Sequence, residues 1–93
     1  MREIDIPLLP RGVRLYFDKV RNTNVLLGPE RTLVLDEISN AILGEVDGSN
    51  SLETISGKLS EHYGAPQDTV QRDVQEFLQG LLEKRLVDLV DGE

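Results

Sequence analysis

Between Val13 and Leu35 the chain alternates apolar and polar residues in short runs separated by tight turns, and beyond Asp36 the apolar spacing becomes helical. This change of period, from two residues to between three and four, restricts the chain to a small sheet followed by a helical layer. The run Val13-Arg14-Leu15-Tyr16-Phe17-Asp18 sets Val13, Leu15 and Phe17 on one face and Arg14, Tyr16 and Asp18 on the other, so the first face is assigned to the core. Asn24 to Gly28 predicts a second strand, apolar at Val25, Leu26 and Leu27. The turn Gly28-Pro29-Glu30 then delivers the chain to a third strand, Arg31 to Leu35. Three strands without a closing partner leave open edges.

Helix signals follow in order. Asp36 is placed as an N-cap for a first helix carrying Ile38, Ala41, Ile42 and Val46 and stopping at Asp47-Gly48. Ser51 caps a second helix, with Leu52, Ile55, Leu59 and Tyr63 on one face and Gly64 as its left-handed terminator. Gly57 in its middle allows close packing or a bend. Pro66 suits the first position of a third and longest helix, whose stripe is Val70, Val74, Phe77, Leu78, Leu81 and Leu82 and whose end falls near Lys84-Arg85. The segment from Leu86 to Val90 reads either as a short final strand or as a packed tail. Before the sheet, Pro7, Pro10 and Gly12 interrupt any regular element, so residues 1–12 are expected to form a flexible arm, 13–90 a single domain and 91–93 a tail. The expected fold is α+β and winged helix-turn-helix-like, a three-stranded antiparallel sheet packed on three helices.

Composition narrows the chemistry. With 93 residues and no cysteine, the chain is sized for one core and has no thiolate metal site, disulfide or cysteine nucleophile. Its lone histidine, His62, lies between Glu61 and Tyr63 and reads as a solvated helix position rather than the base of a triad. Asp47-Gly48-Ser49-Asn50-Ser51 lacks the later ligands of a calcium loop, and no glycine-rich loop follows a strand in the manner of a phosphate cradle. The expectation is therefore no catalytic residue, no metal and no cofactor. No apolar run approaches a membrane span and the first residues lack a secretion signal, so the cytoplasm is the expected compartment.

The net charge of -7 is uneven: Met1 to Leu35 carries six Lys/Arg against four Asp/Glu, whereas Asp36 to Glu93 carries four against thirteen. A winged helix protein that reads DNA would insert its third helix into a groove. Here that helix offers Asp68, Asp73 and Glu76 against Arg72, the wrong sign for a phosphate backbone. The DNA-binding regulator is thus the weaker alternative, and the stronger reading is strand addition, an extended peptide pairing with an exposed sheet edge. The basic residues Arg14, Lys19, Arg21 and Arg31 either attract carboxylates of such a partner or form an ordinary solvated face. An open edge also accepts a second copy of the chain, which leaves monomer and homodimer both open.

The ordered set Pro10-Arg11-Gly12-Val13-Arg14-Leu15, Arg21, Val25-Leu26-Leu27-Gly28-Pro29-Glu30, Leu35-Asp36, Ala41-Ile42-Leu43 and Asp47-Gly48 closely resembles the family of pyrroloquinoline quinone (PQQ) biosynthesis protein D, PqqD. The likeness continues through Ile55, Leu59, Tyr63, Val70, Asp73-Val74, Phe77-Leu78, Leu81 and Leu86-Val87. It implies a non-catalytic peptide chaperone, a recognition element for ribosomally made, modified peptides (RiPPs). Such a protein binds the precursor peptide PqqA and presents it to the radical SAM enzyme PqqE. It further implies that the peptide adds against the third strand, at Arg31, Thr32, Leu33, Val34 and Leu35, beside Val70, Asp73, Val74 and Phe77 of the third helix. Two positions depart from the pattern: Gly28 stands where many relatives carry another small residue, and Arg85 where glycine is usual, which leaves the exit from the third helix undetermined.

Overall fold

A computed structural model describes residues 1–90; the tail expected over 91–93 lies outside the described residues. The chain forms β1 (Pro7–Leu8), β2 (Arg14–Asp18), β3 (Thr23–Leu27), β4 (Thr32–Leu35), α1 (Glu37–Gly44), α2 (Leu52–Tyr63), α3 (Gln67–Glu83) and β5 (Asp88–Leu89). Strands β2, β3 and β4 make an antiparallel meander in that order, and β1 pairs with β5 in a separate two-stranded sheet. The expected three-stranded sheet and three helices are present, with the small β1–β5 sheet added.

Period-two burial works as the sequence implies on the helix side of the meander. Leu15, Leu26 and Leu33 stand opposite one another across the three strands. Leu26 and Leu35 are buried with Ile42, Leu43, Leu52, Ile55, Val74, Leu78 and Leu81 in a single cluster to which every helix contributes. Phe17, assigned to this core face, is instead 45% exposed. It lies near the end of β2 opposite the polar Asn24, where the core has given out. On the other face Val25 is buried between its cross-strand neighbours Tyr16 and Val34, both exposed, so β3 is covered on both sides.

The caps form where their residue types require. Asp36 accepts from the Ser39 amide and Ser51 from the Thr54 amide, while Gly64 closes α2 in the left-handed region at φ 67°. Helix α1 ends at Gly44, earlier than the sequence suggested, and Ile38 in its first turn is 51% exposed although its spacing placed it with the core. Tyr63, at the last turn of α2, is also exposed and meets His62 edge-on. A Cβ on Gly57 would make only ordinary contact with Gln67, so close packing does not explain that glycine. Pro66 is the N-cap of α3, one position before its first helical residue.

The exit from α3 is a Schellman turn. The Leu86 amide donates to the Leu81 carbonyl at 2.9 Å and the Arg85 amide to the Leu82 carbonyl at 3.0 Å, with Leu81 and Leu86 both buried. Arg85 occupies the left-handed position of this motif at φ 61°, where glycine is ordinarily favoured.

The arm expected over residues 1–12 is corrected. Pro7 is buried and Pro7–Leu8 is paired with Asp88–Leu89. The carbonyls of Glu3, Asp5, Ile6 and Pro7 accept from the amides of Glu53, Leu52, Val90 and Gly48. The carbonyls of Glu3 and Asp5 therefore satisfy two of the orphan amides in the first turn of α2. Backbone hydrogen bonds to distant amides, together with buried Pro7 and with Met1 and Leu9 packed on the core, tie this segment down, and none of these follows a periodic pattern.

Candidate functional site

The hairpin bond between Gly28 and Arg31 determines what β4 offers to a partner. Gly28 donates its amide to the Arg31 carbonyl at 2.9 Å, and these two residues continue the register in which Leu26 faces Leu33 and Asn24 faces Leu35. Hydrogen-bonded pairs alternate along an antiparallel ladder, so Arg31, Leu33 and Leu35 turn their backbone groups toward β3. Thr32 and Val34 turn theirs toward the free edge. Because β4 ends the sheet order, those amides and carbonyls have no strand opposite them.

Side chains alternate in the complementary sense. Arg31, Leu33 and Leu35 lie on the face that carries the helices; Thr32 and Val34 lie on the opposite face, where Val34 is 62% exposed. Of the nine residues the sequence singled out, Leu35 and Val74 are buried in the core, and Leu33, Val70 and Phe77 are half-buried against that same core. Arg31, Thr32, Val34 and Asp73 are exposed. The structure thus joins five of the nine through shared packing. It separates Thr32 and Val34, whose side chains leave the helix-facing side and whose contribution to an added strand is backbone.

Beside Arg31 stand side chains that the sequence reading assigned only to the helix end. Pro29, Glu30, Arg31, Lys84, Arg85 and Leu86 line a cavity of about 240 Å³ where the β3–β4 turn meets the C-terminus of α3. The turn approaches this closely because residue 28 is glycine: a Cβ there would lie 2.7 Å from Leu86 Cδ2. No sequence spacing relates Arg31 to residues more than fifty positions away.

The remaining features are less coherent as a site. A groove of about 760 Å³ between α1 and α2 is lined by Asn40, Ala41, Gly44, Glu45, Lys58, Leu59, Glu61 and His62, with Lys58 Nζ 3.4 Å from Glu45 Oε1. The guanidinium of Arg14 lies over the Tyr16 ring at 5.6 Å on the outward face of β2. Among the described residues no group of three His, Asp or Glu is arranged to hold a metal ion. No helix among them is long and apolar enough to cross a membrane. The perturbed carboxylates are Asp5, Asp36 and Asp47, each held below the ordinary aspartate value first by a backbone amide, from Arg2, Ser39 and Ser49 respectively. They are structural caps and turn formers; Asp36 follows the last residue of β4 directly, but its carboxylate is engaged in capping α1.

Residues 23–87 match the family model of coenzyme PQQ synthesis protein D. The chain is 46% identical over 84 residues to the bifunctional coenzyme PQQ synthesis protein C/D of Methylorubrum extorquens, covering 90% of this chain but only 23% of that longer relative. It is 40% identical over 82 residues to the PqqA binding protein of Rhizobium meliloti, covering 88% of this chain and 84% of the relative. The solution structure of the PqqD truncation of Methylobacterium extorquens PqqCD, a stand-alone RiPP recognition element, superposes with a TM-score of 0.80 at 45% identity. That match covers 94% of this chain and 93% of the other. Taken with the meander, the three helices and the open β4 edge, these matches show that the chain belongs to the PqqD family.

Proposed function

We propose that the chain is a peptide chaperone of PQQ synthesis that takes the precursor peptide PqqA as an added strand on β4 and presents it to the radical SAM enzyme PqqE. The observation that carries this reading is the open edge itself. Thr32 and Val34 offer outward amides and carbonyls on a strand whose Leu33 is half-buried against the same core as Val70 and Phe77 of α3. An extended peptide satisfies those backbone groups and lays alternate side chains toward α3. Relatives that are named PqqA binding proteins supply the chemical identity of the strand.

Apolar burial of two leucine-sized side chains contributes roughly 1.5–3 kcal/mol each, against an association cost on the order of 4–15 kcal/mol. Shape and register therefore matter more than area. In this reading the chain performs no chemistry: it fixes the peptide in an extended form, and the bond-making step belongs to the partner enzyme. The exposed carboxylates Asp68, Asp73 and Glu76 of α3 argue against a nucleic-acid role for the same surface.

Amide shifts of the protein titrated with PqqA test the proposal. Perturbations should concentrate on Arg31 to Leu35 and on Val70 to Phe77; a response confined to the α1–α2 groove or to β2 would overturn it. Incubation with PqqA alone should leave the peptide mass unchanged. A pull-down of PqqE should strengthen when PqqA is added.

A further inference from the structure

We propose that Arg31, Lys84 and Arg85 form an anion subsite at the Arg31 end of the β4 edge that receives a side-chain carboxylate of the bound peptide; this rests on the strand-addition reading above. The three cations and Glu30 line one cavity of about 240 Å³ floored by buried Leu86, so the charged residues around it leave two net positive charges. This is a local reversal on a chain of net charge -7. Among the described residues none of the three cations takes part in an ion pair, whereas Arg2, Arg21 and Lys58 each do.

Arg85 supplies an independent observation. It holds φ 61° in the Schellman turn, a conformation that disfavours any residue with a Cβ and that glycine adopts freely. A cation at a helix C-terminus is ordinarily explained by the helix dipole, but Lys84 already serves that purpose without a positive φ. Arg85 lines both the cavity shared with Arg31 and a neighbouring depression formed with Pro10, Leu82, Val87 and Asp88, and its disfavoured backbone conformation is explained by what the cavity receives. Two guanidinium groups, with their planar donor forks, suit a carboxylate.

The position of the subsite also dictates a spacing in the ligand. Arg31 and Leu33 are neighbours on the helix-facing side of β4, so the strand laid beside them presents its own side chains there at every second residue. The peptide carboxylate therefore lies two positions from the apolar side chain that rests on Leu33, whichever direction the strand runs.

The test measures PqqA affinity by calorimetry for the unaltered chain and for Arg31→Gln, Arg85→Gly, Val34→Pro and, as a control on α2, Lys58→Gln. Arg31→Gln should weaken binding about three- to tenfold and flatten its salt dependence. In peptides with each Asp or Glu changed singly to its amide, one position should lose its effect in the Arg31→Gln background. Arg85→Gly should raise the thermal midpoint while weakening binding, opposite signs that a purely structural residue would not give. If Arg31→Gln and Arg85→Gly bind like Lys58→Gln while Val34→Pro loses affinity, the subsite is overturned and strand addition stands. If a folded Val34→Pro, or its parent, shows that β4 takes no peptide, the strand reading fails and the subsite fails with it.

Discussion

Gly28 is set against Leu86 so tightly that a Cβ on the glycine would stand 2.7 Å from Leu86 Cδ2. Leu86 is 2% exposed, so its side chain has little room to yield, and this contact joins the β3–β4 turn to the end of α3. Gly28→Ala should destabilise the protein by about 1–3 kcal/mol through overpacking, partly offset by the lower entropy of the unfolded chain. Thermal denaturation should show a midpoint lowered by several degrees. An unchanged midpoint would mean that the turn moves away from Leu86 at no cost.

Alternation along β4 separates two proline substitutions one residue apart. Val34 directs its amide to the open edge, so Val34→Pro should remain folded and lose PqqA affinity. Leu33 directs its amide to β3, opposite Leu26, so Leu33→Pro breaks a ladder bond and also removes a half-buried apolar side chain. Circular dichroism and calorimetry on the pair check the assignment. If Leu33→Pro is the better folded of the two, the hydrogen-bonding parity inferred from Gly28 and Arg31 is reversed.

The features legible in the sequence are those written in side-chain periodicity and capping chemistry. The alternation from Val13, the caps Asp36 and Ser51, the terminator Gly64 and the α3 stripe all correspond to physical requirements that act within a few residues. Phe17 and Ile38 have the right period yet lie where the opposing layer ends, and no local pattern reports where a core stops. The open edge was readable as an unpaired third strand. The grouping of Arg31 with Lys84 and Arg85 was not, because it arises only when the β3–β4 turn settles on Leu86. The order of the first residues is hidden for a similar reason: it comes from carbonyls meeting distant amides and from the isolated apolar contacts of Met1, Pro7 and Leu9, neither of which makes a local pattern.

That N-terminal segment gives a further prediction. Glu3, Asp5, Ile6 and Pro7 accept four backbone hydrogen bonds from Glu53, Leu52, Val90 and Gly48, and Gln71 Nε2 reaches Glu3 Oε2 at 3.2 Å. Each backbone bond contributes about 0.5–1.5 kcal/mol net, and the entropy of ordering the segment opposes them. Removing residues 1–9 should cost about 1–4 kcal/mol, expose the two-residue strand β5 and leave the first turn of α2 to solvent. Hydrogen exchange should accelerate at Gly48, Leu52, Glu53 and Val90 while remaining slow in β3. Unchanged protection at those four amides would show the segment to be dispensable.

Acid sensitivity should come from the caps rather than from the peptide edge. Asp36 accepts from the Ser39 amide at 2.7 Å, and Asp47 from the amides of Ser49 and Asn50 at 2.8 and 3.1 Å. These bonds hold both carboxyls below the ordinary aspartate value of 3.8 in the folded chain. The unfolded chain therefore binds more protons at low pH, and stability rises with pH across this window. The contribution is complete above the ordinary value and is lost as the pH falls through the lowered folded values. Urea midpoints should be flat above about pH 5 and decline below about pH 4. Asparagine retains a side-chain oxygen to accept the same amides but does not titrate, so the combined Asp36→Asn and Asp47→Asn variant should keep the fold and show a shallower acid decline. An acid decline as steep as that of the unaltered chain would assign the titration to other carboxylates.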